Sequence, residues 1–290
     1  MRLDGRTVLV TGAARGIGEN VARVAAAKGA RLALIGLEPA RLAEVCASLP
    51  GTGHLWFEAD VTNQGQLEAA VAGAVAATGG IDAVVANAGI MPLGTVAATP
   101  VDSIVRTIEV NLGGVIRTVS ATLPYVRAAK GYYLLVSSIS AFAAAPATAA
   151  YGAAKAGVEQ FGNALRMELA PYGVGVGTAH PSRVDTDMTR DIYAEVPTIR
   201  VAMRAMGPAV PAQRCAAAFV AGIEHRRSRI YVPRWIGVIQ ALRTIVNARP
   251  VQALMARAGA GAARKMDAEV RALGRSFGRH SVEADSAPEP

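Results

Sequence analysis

Three polar side chains stand out in a stretch of the chain that is otherwise uncharged. Residues 134–155 read LLVSSISAFAAAPATAAYGAAK, and their only charge is the ammonium group of Lys155. Ser138 lies thirteen residues before Tyr151, and Tyr151 lies four residues before Lys155. If a helix begins near Tyr151, the phenol and the ammonium share one face of it. A nearby cation favours the phenolate and brings a phenol, whose ordinary pKa is about 10, towards the range useful for acid–base catalysis.

This pattern alone leaves two interpretations open. Tyrosine and lysine four residues apart occur often by chance, and a buried strand followed by an Ala-rich helix would have the same composition. The choice between a catalytic site and an ordinary core segment therefore depends on the elements that would position these side chains.

The rest of the chain reads as strands that alternate with helices. Hydrophobic residues make up 52% of the 290 residues and aromatic residues only 5%, so the core is aliphatic and suits a parallel sheet covered by helices. Helical stretches separate seven predicted strands, at residues 7–10, 31–35, 54–58, 83–86, 132–136, 174–178 and 230–232. The alternation predicts an α/β fold with one doubly wound, seven-stranded parallel sheet and helices on both faces. No domain boundary is expected before residue 233.

A glycine-rich turn follows the first predicted strand and opens a helix. It reads TGAARGIG from Thr11 onwards, with Gly12, Gly16 and Gly18 as its glycines. Glycines let the backbone approach a pyrophosphate, whose charge meets the positive N-terminus of the helix. An ordinary tight turn is the alternative, but the strand–turn–helix context favours a dinucleotide site.

The end of the second predicted strand bears on the choice of cofactor. The position where an acid would hold the ribose 2′-hydroxyl is Gly36, followed by Leu37, and Glu38 comes two residues late. No carboxylate is therefore well placed to repel a 2′-phosphate, and Arg15 in the glycine turn could attract one. This favours NADP(H) over NAD(H). In the alternative, Arg15 is merely solvated and Glu38 reaches the ribose, so that NAD(H) is used.

Polar and small residues follow two further predicted strands, at the end where ligands bind in open α/β sheets. Asp60 and Val61 follow the third strand, and an aspartate there either accepts a hydrogen bond from an adenine amino group or caps the next helix. Asn87, Ala88 and Gly89 end the fourth strand and would place an amide and small residues beside a flat ligand. A simple strand-ending turn explains the second set equally well.

Asn111 interrupts a long predicted helix. It lies in the run Val110-Asn111-Leu112-Gly113-Gly114, and both asparagine and glycine weaken helices. The run therefore predicts a kink or a functional side chain at Asn111.

These motifs occur in an order and at spacings that resemble the short-chain dehydrogenase/reductase family, in its single-domain oxidoreductase branch. The motifs are the glycine turn, Asn87-Ala88-Gly89, Asn111, Ser138 and Tyr151-x-x-x-Lys155, and the resemblance covers about residues 4–233. It implies a Rossmann-type fold, hydride transfer between an alcohol or carbonyl compound and NADP(H) or NAD(H), and a homodimer or homotetramer.

The resemblance also implies a role for each motif residue. Tyr151 would be the general acid/base, Lys155 would hold the cofactor ribose and lower the pKa of the phenol, and Ser138 would hydrogen-bond the substrate oxygen. Asn111 would hold a water that links Lys155 to solvent. The cofactor-binding residues would be Gly12, Arg15, Gly16, Ile17, Gly18, Gly36, Leu37, Asp60, Val61, Asn87, Ala88, Gly89, Tyr151, Lys155, Pro181, Val184 and Thr186.

The chain departs from the family pattern in two places. Pro181 is followed by Ser182 where the family usually has glycine, and neither Gly36 nor Leu37 is the acid or the arginine that marks one cofactor. The uncharged run 139–150 favours an apolar ketone, aldehyde or secondary alcohol as substrate. We therefore expect an NADP(H)-dependent carbonyl reductase or alcohol dehydrogenase. An NAD-preferring steroid or lipid alcohol dehydrogenase and a dinucleotide-binding regulatory protein with slow turnover are the alternatives.

The C-terminal third forms an extension beyond the predicted catalytic domain of residues 1–233. Residues 200–290 hold 15 basic and 6 acidic side chains, whereas residues 1–199 hold 15 and 16. Apolar residues at helical spacing predict two basic amphipathic helices, at 234–246 and 251–277, and residues 279–290 read as a disordered tail. Packing on the body or on another subunit explains these helices, as does peripheral contact with an anionic membrane.

Several other classes of protein and site are disfavoured. Cys46 and Cys215 offer neither a disulfide framework nor metal-ligand spacing, and the four histidines do not cluster. The arginines are not interleaved with aromatic residues, so nucleic-acid binding is not expected. We expect a cytoplasmic protein, since no signal peptide is apparent and the apolar run 131–154 is interrupted by hydroxyl residues and a proline.

Overall fold

A seven-stranded sheet lies at the centre of the protein, and all its strands run parallel. The computed structural model describes residues 1–204 and 208–279. The strands follow the spatial order β3-β2-β1-β4-β5-β6-β7. They are β1 (Thr7–Thr11), β2 (Arg31–Gly36), β3 (Leu55–Glu58), β4 (Ala83–Ala86), β5 (Tyr132–Val136), β6 (Gly175–Pro181) and β7 (Arg229–Val232). The predicted doubly wound fold is confirmed.

Helices cover both faces of the sheet, and for that reason β1, β4 and β5 are buried along their whole length. One apolar cluster packs α1 and α9 on one face, and a second packs α3, α5 and α6 on the other. The helices are α1 (Gly16–Ala26), α2 (Pro39–Ala47), α3 (Gln64–Thr78), α4 (Val101–Ile108), α5 (Gly114–Ala128), α6 (Ala149–Leu169), α7 (Asp187–Glu195), α8 (Pro197–Arg204), α9 (Ala212–Glu224), α10 (Ile236–Ala241), α11 (Arg243–Val246) and α12 (Arg249–Leu273).

The chain changes direction across the sheet between β1 and β4, which lie side by side although two other strands separate them in sequence. Parallel strands place their carboxyl ends along one edge, and the crevice beside such a reversal is where open α/β sheets bind ligands. The glycine turn after β1 and the Asn87 segment after β4 both open at this point.

The irregularity predicted at Asn111 is a π-helical turn, Glu109–Gly113, between α4 and α5. Such single turns make one hydrogen-bonded loop wider than in an α-helix and often occur at functional sites. The turn buries Asn111 completely.

Two predicted boundaries in the second half of the chain differ from the structure. β6 continues three residues beyond Thr178, so Pro181 is part of the strand. The single helix predicted over 234–246 is wrong, because α10 and α11 are separated at Leu242. The second predicted helix extends from 249 only to 273, because Gly274 has a left-handed backbone with φ 65° that ends it.

The extension packs on the body through a third, smaller apolar cluster, which joins α12 to α7, α8 and Leu93. Arg279 is described, whereas the rest of the predicted disordered tail, residues 280–290, lies outside the described residues. Of the helices within 1–204 and 208–279, none has both the length and the apolar character needed to cross a membrane.

Candidate active site

Ser138, Tyr151 and Lys155 meet where β5 ends and α6 begins. Ser138 directly follows the buried end of β5, and its hydroxyl is hydrogen-bonded to the phenol of Tyr151 in the first turn of α6. One turn later, the buried Lys155 places its Nζ 5.5 Å from the centroid of the Tyr151 ring. The same Nζ donates a hydrogen bond to the carbonyl oxygen of Val136, at 2.9 Å. The helix therefore places phenol and ammonium together, as the four-residue spacing predicts.

Burial shifts the pKa values of the two titratable groups apart. It raises the pKa of Tyr151, and the hydrogen bond with Ser138 only partly offsets this. It lowers the pKa of Lys155 to about 8, because the ammonium is removed from water. The lowered phenol pKa expected from the sequence is therefore wrong for this structure, because desolvation outweighs the hydrogen bond that favours the phenolate.

Asn111 faces Lys155 across Gly89. Its Nδ2 donates hydrogen bonds of 2.8 Å to the carbonyl oxygens of Thr107 and Ile90, whereas its buried Oδ1 has no hydrogen-bond partner. A Cβ at Gly89 would lie 2.5 Å from that Oδ1 and 3.5 Å from the Nζ of Lys155. An unpaired buried acceptor costs about 1–3 kcal/mol, so this is a position for a water molecule or a ligand group.

Two residues that the sequence did not single out support the catalytic side chains from behind. Ser137 Oγ donates to the carbonyl oxygen of Lys155, at 2.8 Å, and thereby joins β5 to α6. His180, fully buried, has Nδ1 3.4 Å from the carbonyl oxygen of Ser138 and Nε2 3.0 Å from Thr178 Oγ1. Burial lowers the pKa of His180, which keeps the ring neutral. A second hydroxyl beside Ser138 was the only sequence signal for Ser137.

The glycine turn is packed too tightly for side chains. Gly12 has φ 63°, and a Cβ there would lie 2.8 Å from the Cα of Ala88. A Cβ at Gly18 would lie 2.1 Å from the carbonyl oxygen of Gly12. Gly16 has φ 59° and lies beside the methyl group of Thr186, where a Cβ would be 3.3 Å away. The glycines therefore bring the start of α1 against the end of β4, as the motif predicts.

Asn87 joins this turn to the end of β4 through hydrogen bonds. Its Nδ2 donates to the carbonyl oxygens of Thr11, at 3.0 Å, and Gly12, at 3.2 Å. The backbone N–H groups of Asn87 and Ala88 both donate to Thr11 Oγ1, at 3.0 and 3.2 Å. Thr11 is thus a positioning residue absent from our predicted site, although it begins the motif.

The turn fits the pyrophosphate of a dinucleotide. α1 begins at Gly16, directly before Ile17, and its first N–H groups donate no hydrogen bond to the side chain at the capping position, Arg15. Free N–H groups at a helix N-terminus attract anions through their partial positive charge. On the other side of the crevice, the ammonium of Lys155 bonds one carbonyl oxygen and keeps capacity for a ribose hydroxyl.

Arg15 is paired with Glu38 rather than solvated. Both guanidinium nitrogens that face the carboxylate take part: Nε donates to Oε2 at 3.0 Å, and Nη2 bonds Oε1. The pair is partly exposed, and Glu38 comes two residues after Gly36, the last residue of β2. The predicted alternative of a merely solvated Arg15 is wrong. The choice of cofactor then depends on how the carboxylate of Glu38 affects the binding of a 2′-phosphate.

Asp60 has an internal set of hydrogen-bond donors. Its Oδ1 accepts from the N–H and the hydroxyl of Thr62, at 2.7 and 2.8 Å, and its Oδ2 accepts from Arg106, at 3.0 Å. Burial alone would raise the pKa of Asp60, but these hydrogen bonds outweigh it and lower the pKa. The alternative that Asp60 caps α3 is wrong, because Asn63 has that position and accepts from the N–H of Gln66. The sequence analysis did not identify Arg106 or Thr62 as partners of Asp60.

Most of the remaining predicted cofactor residues lie in or after β6, and Val61 follows β3. The N–H of Ser182, next to Pro181, donates to Val232 at 2.8 Å, so serine at this position bonds β7. Val184 is buried in a short parallel pair of strands, Val184–Asp185 and Val210–Pro211. Thr186 caps α7 through Thr189. Val61, beyond β3, packs against Gly114.

The chain is similar to known proteins over this region. A family model described as short chain dehydrogenase matches residues 6–197. A trans-4-hydroxycyclohexanecarboxylate dehydrogenase of Sinomonas cyclohexanicum is 36% identical over 207 residues, which are 68% of this chain and 80% of the relative. A 3-alpha-(or 20-beta)-hydroxysteroid dehydrogenase of Mycobacterium tuberculosis is 35% identical over 189 residues, covering 65% of this chain and 72% of the relative. An uncharacterised oxidoreductase of Listeria innocua is 31% identical over 197 residues, 66% of this chain and 79% of the relative.

Proposed function

We propose, from the premise that this chain belongs to the short-chain dehydrogenase family and is an oxidoreductase acting on CH–OH groups, that it interconverts an apolar ketone or aldehyde and its alcohol. The observation that carries the proposal is the meeting of Tyr151 with the buried Ser138 and Lys155 beside the glycine turn. This group has an acid, a hydrogen-bond donor and a cation, with the phenol and the ammonium one turn apart on α6. That is the set required for proton transfer to a carbonyl oxygen.

A nicotinamide dinucleotide, which the family uses, supplies or accepts the hydride when it is bound. In the reducing direction the carbonyl carbon gains that hydride, and the carbonyl oxygen receives the phenolic proton of Tyr151. The hydroxyl of Ser138 donates to the same oxygen and stabilises the charge that develops there. Lys155 stabilises the phenolate left on Tyr151 until a proton returns from solvent. Asn111, with its unpaired Oδ1, holds the water that passes this proton on.

The preferred substrate is an apolar cyclic or branched alcohol or ketone. The loop between Ser138 and Tyr151 has no charged side chain, and apolar residues of α7 and α12 face it from the third cluster, which includes Ala147 of the loop. Two relatives are named for cyclic alcohols: hydroxysteroids, which are apolar, and a hydroxycyclohexanecarboxylate, which shares the ring but carries a charged carboxylate. A steroid or lipid alcohol is therefore the second candidate substrate class.

The preferred cofactor is NADP(H). Arg15 lies in the glycine turn, and Gly36 and Leu37 have no carboxylate that would repel a 2′-phosphate. Glu38 opposes this preference, because its carboxylate already occupies the guanidinium of Arg15. To bind a 2′-phosphate, Arg15 must give up its ion pair with Glu38, which reduces the advantage of NADP(H). NAD(H) is therefore also accepted, with weaker binding.

The working enzyme is a cytoplasmic homodimer or homotetramer that also contacts membranes peripherally through residues 234–278. Residues 1–233 form the catalytic domain in this proposal. The exposed apolar side chains of the extension and its basic charge support the membrane contact.

A fluorescence titration with NADPH and with NADH, followed by a panel of ketones with the tighter cofactor, tests the function. We expect saturable binding of both dinucleotides, tighter for NADPH, and turnover that rises from short linear ketones to cyclic ones. Failure to bind either dinucleotide would refute the proposed function. Turnover confined to charged substrates would refute the proposed substrate class alone.

A further inference from the structure

The C-terminal extension presents large apolar side chains to solvent. Trp235, Val238, Leu242 and Ile245 recur every three or four residues along α10 and α11, and all four are exposed. Leu254 in α12 is 70% exposed and its neighbour Met255 49%. Isolated exposed apolar residues are ordinary, but six within twenty-one residues form a surface that needs a partner. We refer to these six residues as the outer apolar surface.

The charge around the outer apolar surface has one sign. Residues 234–279 contain nine basic and two acidic side chains. Both acidic side chains form hydrogen bonds with the body. Asp267 Oδ1 accepts from Thr95 Oγ1 at 2.6 Å. Glu269 accepts from the N–H and the hydroxyl of Thr198 at 3.1 and 2.8 Å. The exposed residues of the extension include the cations Arg234, Arg249, Arg257, Arg264 and Lys265.

An anionic lipid surface matches this combination. It offers phosphate groups to the cations and acyl chains to the apolar residues at the same depth, which is how basic amphipathic helices bind membranes. A second copy of the extension would bring like charges together across a two-fold contact. Residues 1–199, at 15 basic and 16 acidic side chains, have no comparable excess of negative charge to attract it.

The inner side of the same extension touches each of the three segments around the catalytic group. In the segment after Gly89, Leu93 N–H donates to Ser276 at 2.8 Å. In the loop between Ser138 and Tyr151, the carbonyl oxygen of Phe142 accepts from Asn247 Nδ2 at 2.8 Å.

The third segment is α7 with α8. Glu195 in α7 forms an ion pair of 2.7 Å with Arg275, and Thr198 in α8 bonds Glu269. Met266 and Val270 of α12 are buried among the apolar residues of both helices. The extension therefore contacts three segments at once: the one after Gly89, the loop between Ser138 and Tyr151, and α7 with α8.

We propose that the extension is a membrane-docking cover: its outer apolar surface binds anionic lipid while its inner side controls entry to the substrate cleft. Docking places the entrance at the lipid boundary, so the enzyme takes an apolar substrate that is dissolved in the membrane. The proposed lipid contact depends only on the residues of the extension, whereas the proposed source of the substrate rests on the proposed function.

Vesicle co-sedimentation of the full chain tests the docking without any assay of activity. We expect sedimentation with phosphatidylglycerol–phosphatidylcholine vesicles, little with phosphatidylcholine alone, and release by high salt because the screened arginines lose their attraction. Changing four exposed residues together, Val238→Ser, Ile245→Ser, Leu254→Ser and Met255→Ser, should weaken partitioning by about tenfold or more.

The matched control changes Met167→Ser and Val101→Ser, two residues that are as exposed but lie outside the extension. It should sediment like the unaltered protein. Absence of binding to anionic vesicles, or equal loss in the control, would overturn the docking. If the variant with all four substitutions changed only the oligomeric state and bound vesicles normally, the outer apolar surface would be a subunit interface instead.

A kinetic comparison tests the source of the substrate. Anionic vesicles should raise kcat/KM for a cyclic ketone dissolved in the vesicles by several-fold in the unaltered protein. They should not raise it in the variant with all four substitutions. A small water-soluble ketone should be reduced equally by both. Equal stimulation of both proteins would refute delivery from lipid, whereas the loss of all turnover would count against the proposed function and leave the vesicle binding result standing.

Discussion

Lys155 shows at the scale of a single residue how function and stability conflict in this site. Burial lowers its pKa from the usual 10.5 to about 8, so at neutral pH the folded protein keeps an ammonium group where water cannot solvate it. At 1.36 kcal/mol for each pKa unit, this difference corresponds to a folding penalty of about 3 kcal/mol at pH 7. The penalty is the cost of having a cation beside the phenol of Tyr151.

Lys155→Met should therefore stabilise the protein while it abolishes turnover. The penalty is fully present below pH 8, where both folded and unfolded Lys155 are protonated, and declines as pH rises through 8 towards 10.5. We expect a gain of about 1–3 kcal/mol in the free energy of unfolding at pH 7, in urea titrations, and a smaller gain at pH 9.5.

Lys265→Met is the matched control, since Lys265 is exposed in the same chain. It should change the free energy of unfolding little at either pH. A Lys155→Met protein that is less stable than the unaltered one at pH 7 would contradict the account of the buried ammonium.

In the proposed function, Arg15 and Glu38 set the choice of cofactor, because Glu38 competes with a 2′-phosphate for the guanidinium of Arg15. Arg15→Ala should weaken NADPH binding by about tenfold, the effect of losing a charge-assisted contact, and NADH binding much less. Glu38→Gln should strengthen NADPH binding, because the guanidinium is released and a repelling carboxylate is lost. Dissociation constants from fluorescence titration measure both, and an Arg15→Ala protein with an unchanged NADPH-to-NADH ratio would exclude Arg15 as the 2′-phosphate contact.

Residue types and spacing singled out Ser138, Tyr151 and Lys155 as candidates, because helical periodicity brings the last two together, and the resemblance to a family implied their roles. Thr11, Ser137, His180 and Arg106 were missed. Each of them acts through a partner on another strand or helix, and such contacts have no trace in local spacing. The Arg15–Glu38 pair was missed for the same reason, since 23 residues separate the two side chains.

At the scale of elements, the π-helical turn and α12 are two features beyond the doubly wound sheet that bear on the site. The turn at Glu109–Gly113 was predicted as an irregularity from asparagine and glycine in a helical run, and it directs Asn111 inwards. The extension was predicted as amphipathic helices, but its break at Leu242 and its contacts with α7 and α8 were not. Hydrophobic periodicity shows that a helix has a face to bury and does not show what it is buried against.

Met266→Ala should loosen the cover without unfolding the sheet. Met266 is 5% exposed within the small third cluster, and removing a buried side chain of this size costs about 2–5 kcal/mol. Because that cluster is separate from the two that cover the sheet, we expect faster hydrogen exchange in α7, α8 and α12. Amides of β1, β4 and β5 should exchange as before.

Met255→Ala is the control on the same helix, since Met255 is about half exposed. It should leave exchange in α7 and α8 unchanged. Equal acceleration in both variants, or acceleration throughout the sheet after Met266→Ala, would show that α12 does not act as a separate cover.

At the scale of the whole molecule, two regions of different character are joined. The sheet and its helices provide a body whose strand ends gather the glycine turn, Asn87 and the catalytic group. The extension adds a region with nine basic and two acidic side chains over residues 234–279 and a concentration of exposed apolar residues. The body was predictable because alternating strands and helices leave few topologies, whereas the place of the extension depends on contacts between distant parts of the chain, such as Leu93 with Ser276.

The central claim is that the phenol of Tyr151 transfers the proton in ketone reduction. The most direct test is steady-state reduction of a cyclic ketone by Tyr151→Phe, with NADPH binding measured on the same samples and Tyr172→Phe, an exposed tyrosine, as control. The account predicts that kcat falls by about 10²–10⁴-fold while the NADPH dissociation constant changes little, and that the control behaves like the unaltered protein. Turnover by Tyr151→Phe within a few-fold of the unaltered protein would contradict it.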